Sequence, residues 1–387
     1  MGPGANGGEW DVVVVGAGPA GACAARSAAE AGARTLLIER AQLPRYKTCG
    51  GGLVGASLAA LPPGVRPPTR ERITAVTFSL GGGLRRTHRD PAQMVEMINR
   101  DEFDAALTSS AVECGATLLP GTVVRGVDAA DGHVTLTTSA GVVTARAVVG
   151  ADGTSGRTGR HVGVTCGQVD LGLEVEVAAD SATAAAWAGR VQLDWGPLPG
   201  SYGWVFPKGD ALTVGVISAR GDGDAVRDYL RRFVGQVGLA DHRVIRSSGH
   251  LTRCRDDRSP LVRGRVLVAG DAAGLLEPWT REGISYALRS GRIAGGAAAR
   301  MARADGAQVA ELGTTYAAEI DGSLGAEMRA GRAIMAAYTR RPRAFHAAIA
   351  AGGPTWRTFM RLTRGDTTFP RVMRHRPVAA LVSVLAR

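Results

Sequence analysis

One β-α-β pattern near the N-terminus constrains the fold of this chain more than any other feature. Residues 10–15, WDVVVV, form the continuous apolar run that is typical of a parallel strand buried on both faces. GAGPAG follows at 16–21 and opens an Ala-rich helical segment, and RTLLIE then forms a second apolar strand that ends at Glu39. The pattern predicts an α/β fold built on a Rossmann-like parallel sheet.

The same segment predicts a dinucleotide site, because each residue of the pattern has a physical reason. Gly16 permits the tight turn after the strand, Gly18 lets the backbone approach a pyrophosphate, and Gly21 lets the helix pack closely on the strand. The helix N-terminus attracts the phosphates, and Glu39 accepts hydrogen bonds from ribose hydroxyls. The dinucleotide-binding residues predicted in this unit are Gly16, Gly18, Pro19, Ala20, Gly21, Glu39 and Arg40.

Two later segments indicate that the dinucleotide carries a flavin. RAVVGADGTSGRTGR, at 146–160, reads as a strand that ends at Asp152, and GRVLVAGDAAGLLEPWTREGISYALRSGR, at 264–292, contains a strand, Gly270-Asp271 and a helix beginning near Gly283. A carboxylate after such a strand suits a ribityl or phosphate region. The amides of the following helix suit the N1–O2 edge of a flavin, which becomes negative on reduction.

Together these segments resemble the FAD-dependent oxidoreductases with the aromatic-hydroxylase type of fold, and within them the geranylgeranyl reductase family. PRYKTCGGGL at 44–53, YGWVFPKGD at 202–210 and GDAAGLLEPWTREGI at 270–284 carry the closer resemblance, which covers about residues 10–335. It implies FAD as cofactor and a hydrophobic prenyl-type substrate whose isolated C=C bonds are saturated by hydride from reduced flavin N5. No second GxGxxG follows a strand, so the external donor is expected to be NAD(P)H docking transiently or a reduced electron carrier.

The loop KTCGGGL is expected to lie along the flavin ring, because consecutive glycines let backbone approach a flat surface. The resemblance places Lys47 and Cys49 near the reactive edge and implies that Arg100 contacts FAD. Cys49 is interpreted as a small packed group, a proton donor or a redox partner. The resemblance completes the predicted cofactor site with Cys49, Gly50, Gly51, Arg100, Val124, Asp152, Gly270, Asp271, Gly283 and Ile284.

Only two of the 46 basic side chains are lysines, Lys47 and Lys208, and both lie in these motifs. A compact, movable cation is one explanation, since a guanidinium is bulkier and permanently charged. Chance survival within an arginine bias is the other. Lys47 and Cys49 are candidate catalytic residues.

YGWVFPKGD sets Tyr202, Trp204 and Phe206 at alternate positions, so on a strand their rings share one face. They form either a core stripe or an apolar wall for a prenyl chain, and the Tyr202 hydroxyl is a candidate proton donor or headgroup ligand. Tyr202 and Trp204 are therefore also predicted as catalytic. Arg281 stands where the family usually has glycine, so its side chain is expected to point away from the flavin or to line the pocket. Directed inward, it would stabilise an anionic reduced flavin or a diphosphate. The predicted substrate-binding residues are Tyr202, Trp204, Phe206, Pro278 and Arg281.

The expected architecture is mixed α/β, with an antiparallel substrate cap interleaved into the FAD-binding part. Strands are expected at 73–80, 122–128, 133–138, 171–177, 190–195 and 212–218, since alternation such as HVTLTT and LGLEVEV favours a half-exposed sheet. The helix that begins at Arg100 is expected to bury Phe103, Leu107 and Val112. The predicted parts are an FAD-binding domain at 9–70, 98–165 and 262–335, a cap at 71–97 and 166–261, and a basic helical C-terminal segment at 336–387.

Charge is concentrated at the C-terminus. The chain carries a net charge of +11, of which residues 340–387, with ten arginines and one aspartate, contribute +9. The segment is a solvated basic tail, or a surface for an acidic electron carrier or an anionic membrane. Its aromatic residues either pack on the protein and close the pocket or face lipid. No nucleic-acid recognition motif accompanies the charge.

Other sequence features bound the location and the chemistry. MGPGANGGEW lacks a secretory pattern, so the expected location is cytoplasmic, with peripheral membrane contact as the alternative. Five scattered cysteines without a CxxC predict neither a disulfide framework nor a metal site. A flavin-dependent monooxygenase acting on a hydrophobic or specialised-metabolite substrate remains the main alternative, and an electron-transfer flavoprotein is another. The Trp-x-Trp-x-Ile-Pro signature of halogenases is absent.

Overall fold

A computed structural model describes residues 9–130 and 132–386, and within them the chain forms three sheets and a largely helical C-terminal third. The strands are β1 (Trp10–Val15), β2 (Thr35–Ile38), β3 (Gly52–Val54), β4 (Thr69–Ile73), β5 (Ala75–Leu80), β6 (Gly83–Arg89), β7 (Val95–Ile98), β8 (Thr117–Leu119), β9 (Val124–Ala130), β10 (His133–Thr138), β11 (Gly141–Gly150), β12 (Cys166–Ala178), β13 (Arg190–Trp195), β14 (Tyr202–Pro207), β15 (Ala211–Ala219), β16 (Val244–Arg255), β17 (Val262–Arg263) and β18 (Val266–Val268). The α-helices are α1 (Pro19–Glu30), α2 (Gly55–Ala59), α3 (Arg100–Glu113), α4 (Arg157–Val162), α5 (Ser181–Trp187), α6 (Gly223–Gln236), α7 (Ile284–Ala302), α8 (Ala307–Ile320), α9 (Ala326–Arg340), α10 (Pro342–Ala350), α11 (Gly353–Thr363), α12 (Phe369–Met373) and α13 (Arg376–Leu385).

The first sheet carries the predicted β-α-β unit at its centre. Its strand order is β17-β18-β11-β1-β2-β8, and β1 pairs in parallel with both β11 and β2. Val12, Val13 and Val14 are fully buried, as a strand covered on both faces requires. The carboxyl ends of β1, β2 and β11 therefore meet at one edge, where ligands bind in open parallel sheets.

Helices α1 and α7 pack tightly against each other beside this sheet. A Cβ atom on Gly291 would overlap the carbonyl oxygen of Ala20, and one on Gly295 would overlap that of Ala24. Glycine at both positions lets the two helix backbones approach. This contact fixes the N-terminus of α7 relative to that of α1, and both face the same edge of the sheet.

A second sheet lies across from that edge. Its order is β16-β12-β15-β14-β13-β5-β6, with antiparallel pairing except between β13 and β5. One face packs on α6 around Val226, Tyr229 and Phe233, which are buried. The other face turns toward the parallel sheet across the cavity. Strands β3, β7 and β4 form a third, small sheet. The predicted mixed α/β class is confirmed.

Most predicted elements agree closely with the structure. The strands predicted at 133–138 and 190–195 coincide with β10 and β13. One prediction for α3 is wrong: Phe103 and Leu107 are buried, but Val112 is 43% exposed. Five residues advance a helix by about 140° beyond a full turn, so Val112 leaves the face that Leu107 occupies. Ala111, four residues after Leu107, is buried instead.

The C-terminal segment packs on the protein through its aromatic residues. Phe345, Trp356, Phe359 and Phe369 all contact a buried cluster that includes Trp195. Helix α13 buries no side chain, and Leu381 and Val384 on it are 52% and 63% exposed. Helix α9 runs through residue 336, so the predicted domain boundary there falls inside a helix. The domain limits stay predictions.

Two sequence expectations concern membranes and secretion. No helix in the described ranges is both long and apolar enough to cross a bilayer. The N-terminal stretch in which we looked for a secretory signal lies outside the described residues, apart from Glu9 and Trp10. All five cysteines are unpaired.

Candidate functional site

A cavity of about 1080 Å³ lies where the carboxyl edge of the parallel sheet meets the inner face of the second sheet. Pockets for drug-sized ligands are roughly 300–1,000 Å³, so this cavity has room for a large ligand. Every predicted cofactor residue lines it except Gly21 and Gly270. A Cβ on Gly21 would overlap the carbonyl oxygen of Gly16, and one on Gly270 would approach the Cβ of Ala20 to 2.8 Å. These two glycines therefore serve packing, not ligand contact.

The N-terminus of α1 forms one end of the cavity. Gly18 is the N-cap, and no side chain caps it, so the amide end of the helix faces the cavity. Glu39 is 4% exposed; its Oε2 accepts the N–H of Ala17 at 2.8 Å, and its Oε1 accepts that of Ala41 at 3.0 Å. These bonds fix a carboxylate beside an uncapped helix end. The arrangement suits a ribose next to a phosphate.

Asp152 and Asp271 differ in how their carboxylates are used. Asp152 accepts the Arg157 N–H at 2.6 Å and the Thr158 N–H at 3.1 Å, so it caps α4 while lining the cavity. Asp271 faces His250, with Nε2 and Oδ2 3.8 Å apart. Burial works to raise the pKa of Asp271, but the neighbouring His250 and the charges of Lys47 and Arg100 hold it below its usual value. Asp271 therefore stays ionised in the cavity wall.

Arg100 lines the cavity and is held by a residue that the sequence analysis missed. Asp104, which is fully buried, accepts from Arg100 Nε at 2.8 Å and Nη2 at 2.9 Å. Its Oδ2 also lies 3.2 Å from Nη1 of Arg45, whose Nε is 3.5 Å from Glu39. One buried carboxylate thus orients two guanidinium groups. The spacing of four residues on α3 was the available signal.

Both lysines contact the Gly-rich loop. Nζ of Lys208 donates to the Cys49 carbonyl at 3.4 Å, while Lys47 lines the cavity. Burial, with the nearby charge of Arg100, lowers the pKa of Lys47, although Asp271 opposes the shift. A Cβ on Gly50 would lie 2.8 Å from the ring of Phe206. Glycine therefore brings this loop against the aromatic strand.

The three alternate aromatic residues of β14 form a wall of the cavity. Ring centroids are 5.9 Å apart for Tyr202 and Trp204 and 6.2 Å apart for Trp204 and Phe206. The Trp204 ring lies over Gly215, where a Cβ would overlap it. The Tyr202 hydroxyl donates to the carbonyl of Thr280, and burial raises its pKa. That hydroxyl is therefore already engaged within the protein.

The aromatic wall belongs to a larger apolar chamber within the cavity. It is built from the small sheet, the second sheet and the C-terminal helices. Its other lining residues are Ile73, Val76, Met94, Val95, Val191, Leu193, Trp195, Trp279, Phe359, Leu362 and Phe369. The C-terminal segment thus closes part of the chamber.

Two predicted substrate residues, Arg281 and Pro278, differ in their position relative to the cavity. Arg281 is paired with Asp170, with Nε and Oδ2 3.1 Å apart and both side chains 2% exposed. It also donates to the carbonyls of Trp279 at 2.8 Å and Gly200 at 3.2 Å. Arg281 also lines the cavity, so its guanidinium is held in the wall by Asp170 and the two carbonyls. Pro278 is buried, and it is not among the described residues that line the cavity.

Three glutamates in the cavity wall were not predicted, and two of them, Glu174 and Glu277, are buried. Glu174 lies on β12, and Glu277 and Glu282 precede α7. Burial raises the pKa of all three. In LGLEVEV, alternation predicts a polar face exposed to solvent, whereas that face is covered by the parallel-sheet part, so Glu174 is 2% exposed. The alternating pattern of a strand shows which residues share a face of the sheet. It does not show which part of the protein covers that face.

Comparison with known proteins identifies the class. Residues 11–165 match the family described as FAD dependent oxidoreductase. The chain is 30% identical over 339 residues to the digeranylgeranylglycerophospholipid reductase of Methanocella arvoryzae, covering 82% of this chain and 84% of the relative. It is 29% identical over 315 residues to the chloroplastic geranylgeranyl diphosphate reductase of Nicotiana tabacum, covering 75% and 66%. The chain therefore belongs to the geranylgeranyl reductase family of FAD-dependent oxidoreductases.

Solved structures show how widely the fold is shared. A geranylgeranyl bacteriochlorophyll reductase-like protein from Thermoplasma acidophilum matches with a TM-score of 0.79 and 21% identity, covering 97% of this chain and 99% of that one. A flavin-dependent brominase matches with a TM-score of 0.76 and 17% identity, covering 98% of both chains. The predictions of FAD as cofactor and of an oxidoreductase are confirmed. The uncapped α1 end and Glu39 fit that cofactor.

Proposed function

We propose that this protein is an FAD-dependent reductase that saturates C=C bonds of an isoprenoid, of the geranylgeranyl or a related prenyl type. The observation that carries the proposal is the continuity of one cavity. The dinucleotide turn at Gly16–Gly18, the loop at 47–52 and the apolar chamber behind Trp204 all line it. The names of the relatives, which refer to geranylgeranyl lipids and geranylgeranyl diphosphate, support a prenyl substrate.

The residues of the chamber bind and position the chain. An isolated alkene has no carbonyl that a protein can polarise, so positioning and exclusion of water are the main contributions available. Burial of each methylene contributes about 0.8 kcal/mol, which lets a long prenyl chain bind through apolar contacts alone. Bound FAD in its reduced form supplies the hydride, from electrons of NAD(P)H or of a reduced carrier.

At the other end of the cavity, the protein holds the cofactor. The amide end of α1 would receive the phosphates of FAD and Glu39 would accept hydrogen bonds from its ribose. Arg100 would bind a polar edge of the cofactor, and the loop at Gly50–Gly51 would lie along its ring. Lys47 and Asp271 both line this wall, and each acts on the pKa of the other: Asp271 opposes the lowering of the Lys47 pKa, and Lys47 helps to lower that of Asp271. Cys49 fits the interpretation of a small packed group, since its Sγ accepts the Gly51 N–H at 3.4 Å.

The test is product analysis with the reduced holoprotein. Geranylgeraniol, geranylgeranyl diphosphate and a geranylgeranyl glycerolipid are each supplied without oxygen. The proposal predicts products that gain two hydrogens for each bond reduced. The fold is shared with a flavin-dependent brominase. A product that forms only in air and contains oxygen would instead support a monooxygenase and contradict the reductase.

The basic tail supports a second element of the proposal, contact with an anionic membrane. Arg371, Arg374 and Arg376 are exposed, and the same region exposes Leu381 and Val384. Cationic and apolar side chains on one short amphipathic segment suit an anionic lipid surface. A membrane-bound isoprenoid would then meet a protein docked beside it. An acidic electron carrier would use the arginines without the apolar residues.

A further inference from the structure

Glu174 is a buried carboxyl group in the cavity wall to which the proposed function assigns no role. It lies on β12 and is 2% exposed, and its side chain lines the cavity. Saturation of an alkene consumes one proton for every hydride. The source of that proton is therefore an open part of the reaction, and Glu174 is a candidate.

Glu174 is positioned at the junction of the Gly-rich loop and the aromatic wall. Its Oε1 accepts the N–H of Cys49 at 3.0 Å, one residue before the glycine that lies against Phe206. On the sheet, Glu174 pairs with Gly215, and the Trp204 ring covers that glycine. The carboxyl group is thus adjacent both to the loop and to the wall.

Glu174 also has a hydrogen-bonded path to the surface. The Tyr46 hydroxyl lies 3.2 Å from Oε1 of Glu174 and 2.9 Å from Oγ of Ser248. Tyr46 is 37% exposed, so the path reaches solvent. Burial raises the pKa of Tyr46 to about 12, which keeps its proton in place at neutral pH.

The other acidic groups in the wall are engaged differently. The Tyr202 hydroxyl donates to the Thr280 carbonyl. Glu277 accepts from the Thr280 hydroxyl at 2.6 Å, and Glu282 accepts from Ser57 at 3.1 Å and from the Ser285 N–H at 2.8 Å. These contacts engage each of the three groups with other parts of the protein. Glu174 instead accepts a hydrogen bond from Tyr46, whose side chain is exposed to solvent.

We propose that Glu174 delivers the proton that completes each saturation and that Tyr46 and Ser248 return a proton to it from solvent. This rests on the proposed function. One alkene carbon accepts a hydride, with its electron pair, from the reduced cofactor. The other forms a C–H bond as the Glu174 O–H bond breaks, so the C=C π bond is replaced by two C–H bonds. The carboxylate then takes the Tyr46 proton, and Tyr46 takes one from water through Ser248.

The surroundings of Glu174 favour a carboxyl group that holds a proton. Burial raises its pKa, while Lys208, the Cys49 N–H and the Tyr46 hydroxyl oppose the shift and Glu176 adds to it. Arg246 covers the Tyr46 ring at 4.0 Å, and His250 lies on β16 two residues from Ser248. Because the acid form is the donor, the reduction rate falls as pH rises through the raised pKa of Glu174.

The test compares Glu174→Gln, Glu174→Asp and Tyr46→Phe, with Glu176→Gln on the same strand as control. Reduced holoprotein is mixed anaerobically with geranylgeranyl substrate in single and multiple turnover. Glu174→Gln is expected to lower the single-turnover rate by about 10²–10⁴-fold, the usual contribution of general acid catalysis, and to abolish the pH-dependent limb. Glu174→Asp is expected to keep part of the single-turnover rate and part of the pH-dependent limb. Tyr46→Phe keeps the first turnover and slows later ones. Glu176→Gln keeps both rates at low pH, and its pH-dependent limb moves to lower pH, because the charge of Glu176 adds to the raised pKa of Glu174.

FAD content and the unfolding temperature are measured for every variant. If Glu174→Gln loses FAD or unfolds, Tyr46→Phe tests the relay instead. Its first turnover should keep the wild-type rate, and its later turnovers should be slower. A Glu174→Gln variant with wild-type rate and pH profile overturns the relay, as does a Tyr46→Phe variant with unchanged later turnovers. Wild-type protein that reduces no prenyl substrate would instead overturn the proposed function.

Discussion

Arg281 occupies a backbone position that favours glycine, and its side chain makes contacts that glycine cannot make. Its φ is +56°, in the left-handed region that favours glycine, and the family pattern that the sequence resembles has glycine there. The side chain links three segments, through Asp170 on β12, the carbonyl of Gly200 and its own loop at Trp279. The arginine therefore braces the wall beside Tyr202.

Breaking this pair is expected to destabilise the fold. Asp170→Asn leaves the Arg281 charge buried without a counter-ion, which typically lowers the free energy of unfolding by about 3–5 kcal/mol. Asp228→Asn is the matched control, since its pair with Arg231 lies at the surface and is worth at most about 1 kcal/mol. Urea unfolding measures both variants. Equal, small effects would contradict a bracing role.

Glu39 is expected to determine cofactor affinity. Glu39→Ala removes an acceptor for the ribose and frees the N–H groups of Ala17 and Ala41. Hydrogen bonds to a charged group contribute about 1.5–3 kcal/mol, so the Kd for FAD should rise roughly 10- to 150-fold. Titration of deflavinated protein with FAD gives the value. Glu30→Ala, on the exposed part of α1, should leave the Kd unchanged; a similar loss there would point to a general effect on α1.

At the residue level, the sequence predicts best where the reason for a residue is local. The turn glycines and Glu39 could be predicted, because backbone geometry within one β-α-β unit determines them. Glu174 and Asp104 could not be assigned, because their roles depend on partners 125 residues away in one case and on a neighbouring arginine, Arg45, in the other.

At the scale of elements, the contact between α1 and α7 aligns two helix N-termini on one cavity. Gly295→Ala would place a methyl group on the Ala24 carbonyl, and overpacking of this kind typically costs about 1–3 kcal/mol. Gly296→Ala is the control, because its Cβ would meet no atom closer than 3.7 Å and alanine favours a helix by up to about 1 kcal/mol. Thermal unfolding should show opposite signs for the two. The same sign would contradict close helix packing as the reason for Gly295.

Element prediction succeeded where side chains alternate or repeat and failed where they do not. The strands at 133–138 and 190–195 were predicted with their observed bounds. Strand β6, Gly83–Arg89, was not predicted, because GLRRTHR is polar and largely exposed and carries no apolar alternation. It pairs with β5 as the edge of the second sheet, and only that pairing makes it a strand.

At the scale of the whole molecule, the tail both closes the apolar chamber and carries most of the excess positive charge. We expect the protein to sediment with anionic vesicles at low salt and less at high salt, because screening weakens surface charge. Replacing Arg371, Arg374 and Arg376 with glutamine should abolish sedimentation. The same change at the exposed Arg227, Arg231 and Arg232 of α6 should not. No sedimentation of wild type, or equal loss in both variants, would contradict membrane docking by the tail.

The cavity as a whole could not be predicted from any one segment. Its wall combines the first β-α turn, β12, β14, the start of α7 and the C-terminal helices, which are far apart in the chain. Resemblance to the family extends only to about residue 335, so the contribution of Phe359 and Phe369 to the chamber had no counterpart among the recognised motifs. Their aromatic character was the one available signal.

The central claim is that reduced cofactor and a prenyl alkene react directly in this cavity. The most direct measurement is anaerobic: the holoprotein is reduced, mixed with a geranylgeranyl substrate, and followed at the absorbance band of oxidised flavin. The account predicts return of that band without oxygen, with one product bond saturated for each flavin reoxidised. Absorbance that returns only when air is admitted, with no saturated product, would contradict it.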